Sequence, residues 1–172
     1  MVQENPSYRR AGLADLSSIC ELGQVVNRLH HDACPQVFAA AVDPAEERKH
    51  WLKSLQGDSA ATFLASVDGA VAGFVTVHIL EEEHCLLQPQ RFARVGTLSV
   101  AEPMRGRGLG RGLMAHAEQW AVMGGAGDIR LEVWKFNAAA VRLYEELGYE
   151  IQSFAMSKPM RSKPVQAAGR QS

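Results

Sequence analysis

Leu98-Ser99-Val100-Ala101-Glu102-Pro103-Met104-Arg105-Gly106-Arg107-Gly108-Leu109-Gly110-Arg111-Gly112-Leu113-Met114 is the stretch that decides the fold. A β-rich run feeds a glycine-rich turn, and the turn opens a helix whose face carries Leu109, Leu113, Met114, Ala117, Trp120 and Ala121. At a helix start the first backbone N–H groups have no intrahelical partner, and the macrodipole adds partial positive charge there. Glycines let that backbone approach an anion closely, and Arg105, Arg107 and Arg111 add fixed cations. Together these make a phosphate or pyrophosphate site. The bland alternative is a glycine-rich helix start with exposed arginines. It leaves unexplained why the helix carries glycines that weaken it by roughly 1 kcal/mol each where they fall inside.

Two common phosphate turns do not fit. A P-loop requires a Lys-Ser or Lys-Thr after the glycines, and none follows. The dinucleotide turn GxGxxG lacks its third glycine in register, because Gly106, Gly108, Gly110 and Gly112 alternate. Glu132, 22 residues past Gly110, stands where a ribose-binding acid would. A nucleotide-dependent oxidoreductase therefore stays as the weakest of three readings.

Outward from the turn, the chain organises into short elements. Ser7 to Arg10 is a candidate strand, and the helical pattern from Leu13 through Leu29 ends at Cys34-Pro35. Asp43-Pro44-Ala45-Glu46-Glu47 is a helix start: a capping Asp, Pro at the first position and acids in the first turn. Residues 60 to 67 and 70 to 80 flank Asp68-Gly69, the dipeptide of a tight hairpin. Ala93 to Val100 is a third long strand. Beyond the glycine-rich helix, Asp128 to Lys135 reads as a strand, Asn137 to Leu147 as a helix and Tyr149 to Met156 as a last strand. This order predicts an α+β domain of three α/β/α layers, with a mixed, mostly antiparallel central sheet and flanking helices. One domain spans residues 1–158, and 159–172 is a flexible tail.

Composition bounds the function. The chain has 172 residues, enough for one domain that buries about 70% of the surface its unfolded chain exposes. With 18 Lys+Arg against 19 Asp+Glu there is no global basic excess of the kind nucleic-acid binders show. Cys20, Cys34 and Cys85 form no CxxC pair and no zinc spacing, which points to a reducing compartment and no metal. No apolar run reaches 18 residues, so the expectation is a soluble, cytoplasmic protein that engages neither membrane nor nucleic acid.

Arg105-x-x-Gly108-x-Gly110 resembles the R/Q-x-x-G-x-G/A signature of the GNAT acetyltransferase superfamily, and Val100-Ala101-Glu102-Pro103 resembles its strand exit. Downstream, Asn137-Ala138-Ala139-Ala140-Val141-Arg142-Leu143-Tyr144-Glu145-Glu146-Leu147-Gly148-Tyr149 resembles that superfamily's second motif. The resemblance implies a central sheet whose middle strands splay, and acetyl transfer from acetyl-CoA to a primary amine. It implies that backbone groups of Leu98 and Val100 bond the co-substrate. Amides from Arg105, Gly106, Arg107, Gly108, Leu109, Gly110 and Arg111 would hold the pyrophosphate, and Asn137 the pantetheine arm.

Tyr144 falls where the superfamily places its general acid; the alternative is a core tyrosine sharing a helix face with Ala140, Val141 and Leu147. The base is open. The strand position where some members carry Glu is here Arg94, while Glu132 lies twelve residues before Tyr144 as in others. Glu81, Glu82, Glu83 and His84 form a second acidic candidate, or an ordinary solvated run; water is the third. His30-His31 suits a helix C-terminus rather than a metal. Residues 25 to 51 form one wall of the acceptor site by the resemblance, with no evident aromatic cage. The acceptor is expected to be a small molecule, with a protein N-terminus or lysine as the alternative. A second class of function is a catalytically inactive acyl-CoA-binding sensor or interaction module. Homodimerisation through residues 149 to 158 is an option that the sequence does not decide.

Overall fold

The computed structural model describes residues 5–159. The tail expected from 159 onward therefore falls almost wholly outside the described residues. The elements run β1 (Ser7–Arg10), α1 (Leu16–Ala33), α2 (Pro44–Leu55), β2 (Ala60–Val67), β3 (Ala70–Glu82), β4 (Gln90–Val100), α3 (Leu109–Met123), β5 (Ile129–Arg130) and α4 (Ala138–Glu146), with short 3-10 turns at Leu13–Asp15 and Glu102–Met104. The five strands lie side by side in sequence order. The first four pair antiparallel and β5 joins β4 in parallel.

Local chemistry accounts for the element boundaries. Asp43 accepts from the amides of Ala45 (2.9 Å) and Glu46 (3.2 Å), capping α2. The β2–β3 hairpin turns on Asp68 (φ 51°) and Gly69 (φ 79°), the two left-handed residues a type I′ turn requires. Asp15 holds α1 at its start by accepting from Gly12 N–H (2.9 Å) and pairing with Arg9 (2.6 Å). The Arg9 guanidinium beside it keeps the Asp15 carboxyl below its ordinary pKa.

Two apolar layers sandwich the sheet. On one face α3 and α4 cover Val75, Val77, Ala93 and Val95 with Leu109, Leu113, Met114 and Ala117, against which Tyr144 and Leu147 pack. On the other, Leu16, Ile19 and Leu22 of α1 and Trp51 of α2 close over Leu64 and Phe74. Trp51 sits so close to α1 that a Cβ on Gly23 would lie 2.5 Å from its ring.

Two expected strands are corrected. The run from Asp128 to Lys135 forms a strand only at Ile129–Arg130, and the described residues after α4, 149 to 156 among them, form none. Both misreadings share a cause. A strand needs a neighbour, and beyond Arg130 β4 offers no further pairing, while Ile151 (66% exposed), Phe154 (82%) and Met156 (94%) lie open among the described residues.

Candidate active site

The site begins as a fault in the sheet. Between β3 and β4 the register jumps: Val75 opposes Leu98, but Val77 opposes Val95. Gly96 and Thr97 together therefore face Thr76, a β-bulge. The Thr97 amide donates to Thr76 Oγ1 (2.9 Å), and a Cβ on Gly96 would meet that same oxygen at 2.8 Å, so the bulge leaves no room for a side chain there. A bulge bends its strand and increases its twist. On the far side, β4 and β5 stay paired only at Ala93–Ile129 and Arg94–Arg130. Past that point no strand pairing joins them among the described residues, which leaves a cleft in the pairing between Val95–Val100 and the chain after Arg130.

The cleft has a wall of backbone that no strand pairs. The Ala101 amide donates to Ala72 O (2.8 Å), so residues 101 and 99 make the hydrogen-bonded pairs with β3. By alternation, the N–H and C=O groups of Leu98 and Val100 face the opened β5 side. Ser99 instead sends its hydroxyl to Leu22 O (2.9 Å), tying this stretch of β4 to α1.

At the cleft's end the four glycines divide into two jobs. Gly106 (φ 76°) and Gly108 (φ 82°) adopt left-handed backbone that side chains resist, and they fold the turn so that α3 starts at Leu109. Gly110 and Gly112 are there for space. A Cβ on Gly110 would stand 3.2 Å from Leu143 and 3.8 Å from Leu98, so β4, α3 and α4 converge on it. One on Gly112 would strike the Tyr8 ring system, its hydroxyl at 2.2 Å; Tyr8 in turn stacks on His116 at 4.8 Å. No side chain caps the start of α3 among the described residues, so its first-turn amides and the helix dipole meet at the turn.

The expected cations are partly engaged. Arg105 Nε donates to Val100 O (3.3 Å) and Arg111 pairs with Glu146 of α4 (2.7 Å). Asn137 caps α4, accepting from the Ala140 amide (3.2 Å), which leaves its amide NH2 as the donor it can offer a ligand. Tyr144 packs into the α3–α4 layer and lies 5.7 Å, ring to ring, from Tyr149. Burial pushes its phenol up to about 12, so it holds its proton through the whole physiological range. Tyr149 donates to Glu118 (3.0 Å), and burial raises its pKa too.

Glu132 is paired with Arg94 (3.0 Å), the residue at the strand position where some family members carry Glu; the Glu132 side chain stays 87% exposed. Both project to the α1–α2 face, since Ala93, Val95 and Leu131 pack on the other. The Glu81–Glu83 cluster lies elsewhere: Glu81 pairs with Arg91, and it stands six residues along β3 from Val75, the partner of Leu98. That is about 20 Å at ordinary strand rise.

One feature escaped the sequence. Phe38 contacts Trp134 (5.1 Å) and His30 (4.7 Å), while Phe136 contacts His30 (5.4 Å) and Trp134 (6.0 Å). This cluster joins the end of α1 to the loop after β5. It unites residues about a hundred positions apart, a relation that no local spacing carries.

Known proteins fit this architecture. The model of the acetyltransferase (GNAT) family matches residues 26–149. The streptothricin acetyltransferase of Streptomyces lavendulae is 37% identical over 89 residues, 51% of this chain and 43% of that protein. The chain spans about half the length of the curated relatives it matches first. Among solved structures, a mutant of the BH1408 protein of Bacillus halodurans superposes with a TM-score of 0.84 at 20% identity, covering 90% of this chain and 99% of that one. The aminoglycoside N-acetyltransferase AAC(6')-Iy in complex with CoA does so with a TM-score of 0.75 at 17% identity, covering 93% and 97%. At these identities the two structures speak for the fold. By the family match over most of its length, and by a sheet that parts between β4 and β5 above a glycine-turned helix, this chain belongs to the GNAT acetyltransferase family.

Proposed function

We propose that the chain is an acetyl-CoA-dependent N-acetyltransferase acting on a primary amine, with a small molecule as acceptor. The observation that carries this reading is the parted β4–β5 pair, which leaves the Leu98 and Val100 backbone without a partner strand on that side, beside a helix start that no side chain caps. A thioester arm with a pyrophosphate at its end matches that arrangement in both chemistry and order. The residues fit such a ligand. Positive-φ Gly106 and Gly108 present their amides without a Cβ in the way, and Leu109, Gly110 and Arg111 add the first-turn N–H groups. Arg105 and Arg107 add charge, and Asn137 offers its amide to the arm. Acetyl-CoA supplies the activated acetyl group when bound.

The chain's own groups then do three things. The N–H groups of β4 polarise the carbonyl oxygen and stabilise the charge that develops on it. Tyr144 Oη, protonated at every physiological pH, donates to the departing sulfur. Glu132, steadied by Arg94 and open to solvent, takes the proton from the acceptor amine, directly or through water. The sensor alternative is not favoured, because the acid position is filled by a tyrosine with its proton held in place.

Thiol release from acetyl-CoA, followed over an amine panel, tests the proposal. Amine-dependent release that Tyr144→Phe abolishes in a folded protein supports it. Saturable CoA binding with no release for any amine would return the chain to the sensor class.

A further inference from the structure

On the α1–α2 face, beside the β4 bulge, lies a cleft of about 310 Å³ whose lining includes His50, Trp51 and Lys53 of α2, Thr76 and His78 of β3, and Thr97 of β4. Its chemistry is one-sided. Lys53 is a cation, and the two imidazoles lie close enough to influence each other. Thr76 Oγ1 already accepts from the Thr97 amide (2.9 Å), which leaves its hydroxyl proton to be donated. Among the described residues no carboxylate lines the cleft.

The cleft is also in the right place. His78 stands directly opposite Arg94 in the β3–β4 register, so their side chains share a face, and Arg94 holds Glu132. One strand separates the cleft from the carboxylate that takes the amine's proton.

We propose that this cleft is the specificity pocket for the acceptor, and that the acceptor is an amine carrying an oxyanion, a carboxylate or a phosphate, which docks among His50, Lys53, Thr76 and His78 while its amine lies toward Glu132. The inference rests on the acetyltransferase reading and narrows it. Burial and then His50 hold the His78 imidazole below its ordinary pKa. A polycationic amine finds no counter-charge in this pocket.

The test uses matched probes: phenylalanine against phenethylamine, phosphoethanolamine against ethanolamine, and kanamycin as a polycation. Thiol release from acetyl-CoA is measured for the full chain and for Lys53→Ala and His50→Ala/Lys53→Ala, whose sites are exposed. At least one oxyanion member is expected to exceed its partner tenfold or more in kcat/KM, the carboxylate and phosphate arms telling which anion is preferred. In the double variant that ratio should collapse toward unity, mainly through a higher KM. Preference for the members without an oxyanion or for kanamycin overturns the inference while leaving the transferase reading intact. So does a preference that the double variant retains. If no amine supports release, the transferase reading fails instead, and imidazole resonances decide the pocket. Shifts of His50 and His78 with phosphoethanolamine or phenylalanine, but not with ethanolamine or phenethylamine, sustain it. Unmoved resonances overturn it.

Discussion

The two halves of the proposed site are built on different principles. The half we assign to the co-substrate, from Leu98 through α3 to α4, is almost all backbone: strand groups without a strand partner, amides of a glycine turn, and a helix start. The half we assign to the acceptor is mostly side chains, gathered from α1, α2, β3, β4 and the loop after β5. Backbone geometry depends on where glycines fall and how strands pair, so it leaves a compact local signature. A side-chain wall can be rebuilt by any residue that reaches it. Substitutions in the first half should therefore change every acceptor's rate together, and substitutions in the second should reorder the acceptors.

The largest effect belongs to Tyr144. Removing a general acid costs about 10²- to 10⁴-fold in rate, and Tyr144→Phe should lower kcat on that scale for all amines alike. Its melting temperature should hold, because the ring stays in the α3–α4 layer. Equal kcat in the variant would unseat the acid assignment.

Next comes Gly108→Ala. At φ 82° a Cβ costs about 1–2 kcal/mol of strain and disturbs the turn's amides. We expect KM for acetyl-CoA to rise about tenfold or more, with the ranking of amines unchanged. Gly112→Ala provides the contrast, since its Cβ would collide with Tyr8 rather than with a ligand. Overpacking of that kind destabilises by about 1–3 kcal/mol. Denaturant midpoints should fall while KM for acetyl-CoA holds, which separates the packing glycines from the turn glycines.

Glu132→Gln should cut kcat/KM by about tenfold, in keeping with an exposed base that water partly replaces. The smallest effect is in pH. Tyr144 has a folded pKa raised to about 12 against an ordinary 10, so the folded state keeps this proton more tightly than the unfolded one. Its contribution to stability is whole below pH 10 and is lost as pH rises from about 10 to about 12. In rate profiles at neutral to mildly alkaline pH, Tyr144→Phe should lower the plateau without moving the limbs.

The same contrast explains what the sequence discloses. Asp68-Gly69 and Asp43-Pro44 announce a hairpin and a helix because their requirements are local: two left-handed residues in one case, an amide cap in the other. The glycine turn belongs to that class. Residues 131 to 135 carry β-forming side chains, yet the strand stops at Arg130, since β4 pairs no further and no described residue pairs on the outer edge. Tyr149 to Met156 repeats the lesson. Residue type proposes a strand, and only tertiary pairing makes one. The Arg94–Glu132 pair follows the same logic, because it joins residues 38 positions apart that only the fold brings together. The cluster of His30, Phe38, Trp134 and Phe136, and the cleft at His50 and His78, have no sequence signature, because each exists only through contacts between distant segments.

The central claim is that CoA lies in the parted β4–β5 cleft with its pyrophosphate on the α3 start. Amide hydrogen exchange with and without saturating CoA tests it most directly. The account predicts slowed exchange at Leu98, Val100 and the amides from Gly106 to Arg111, with α1 and α2 unaffected. Unchanged exchange across residues 98 to 111, or protection confined to the α1–α2 face, would contradict it.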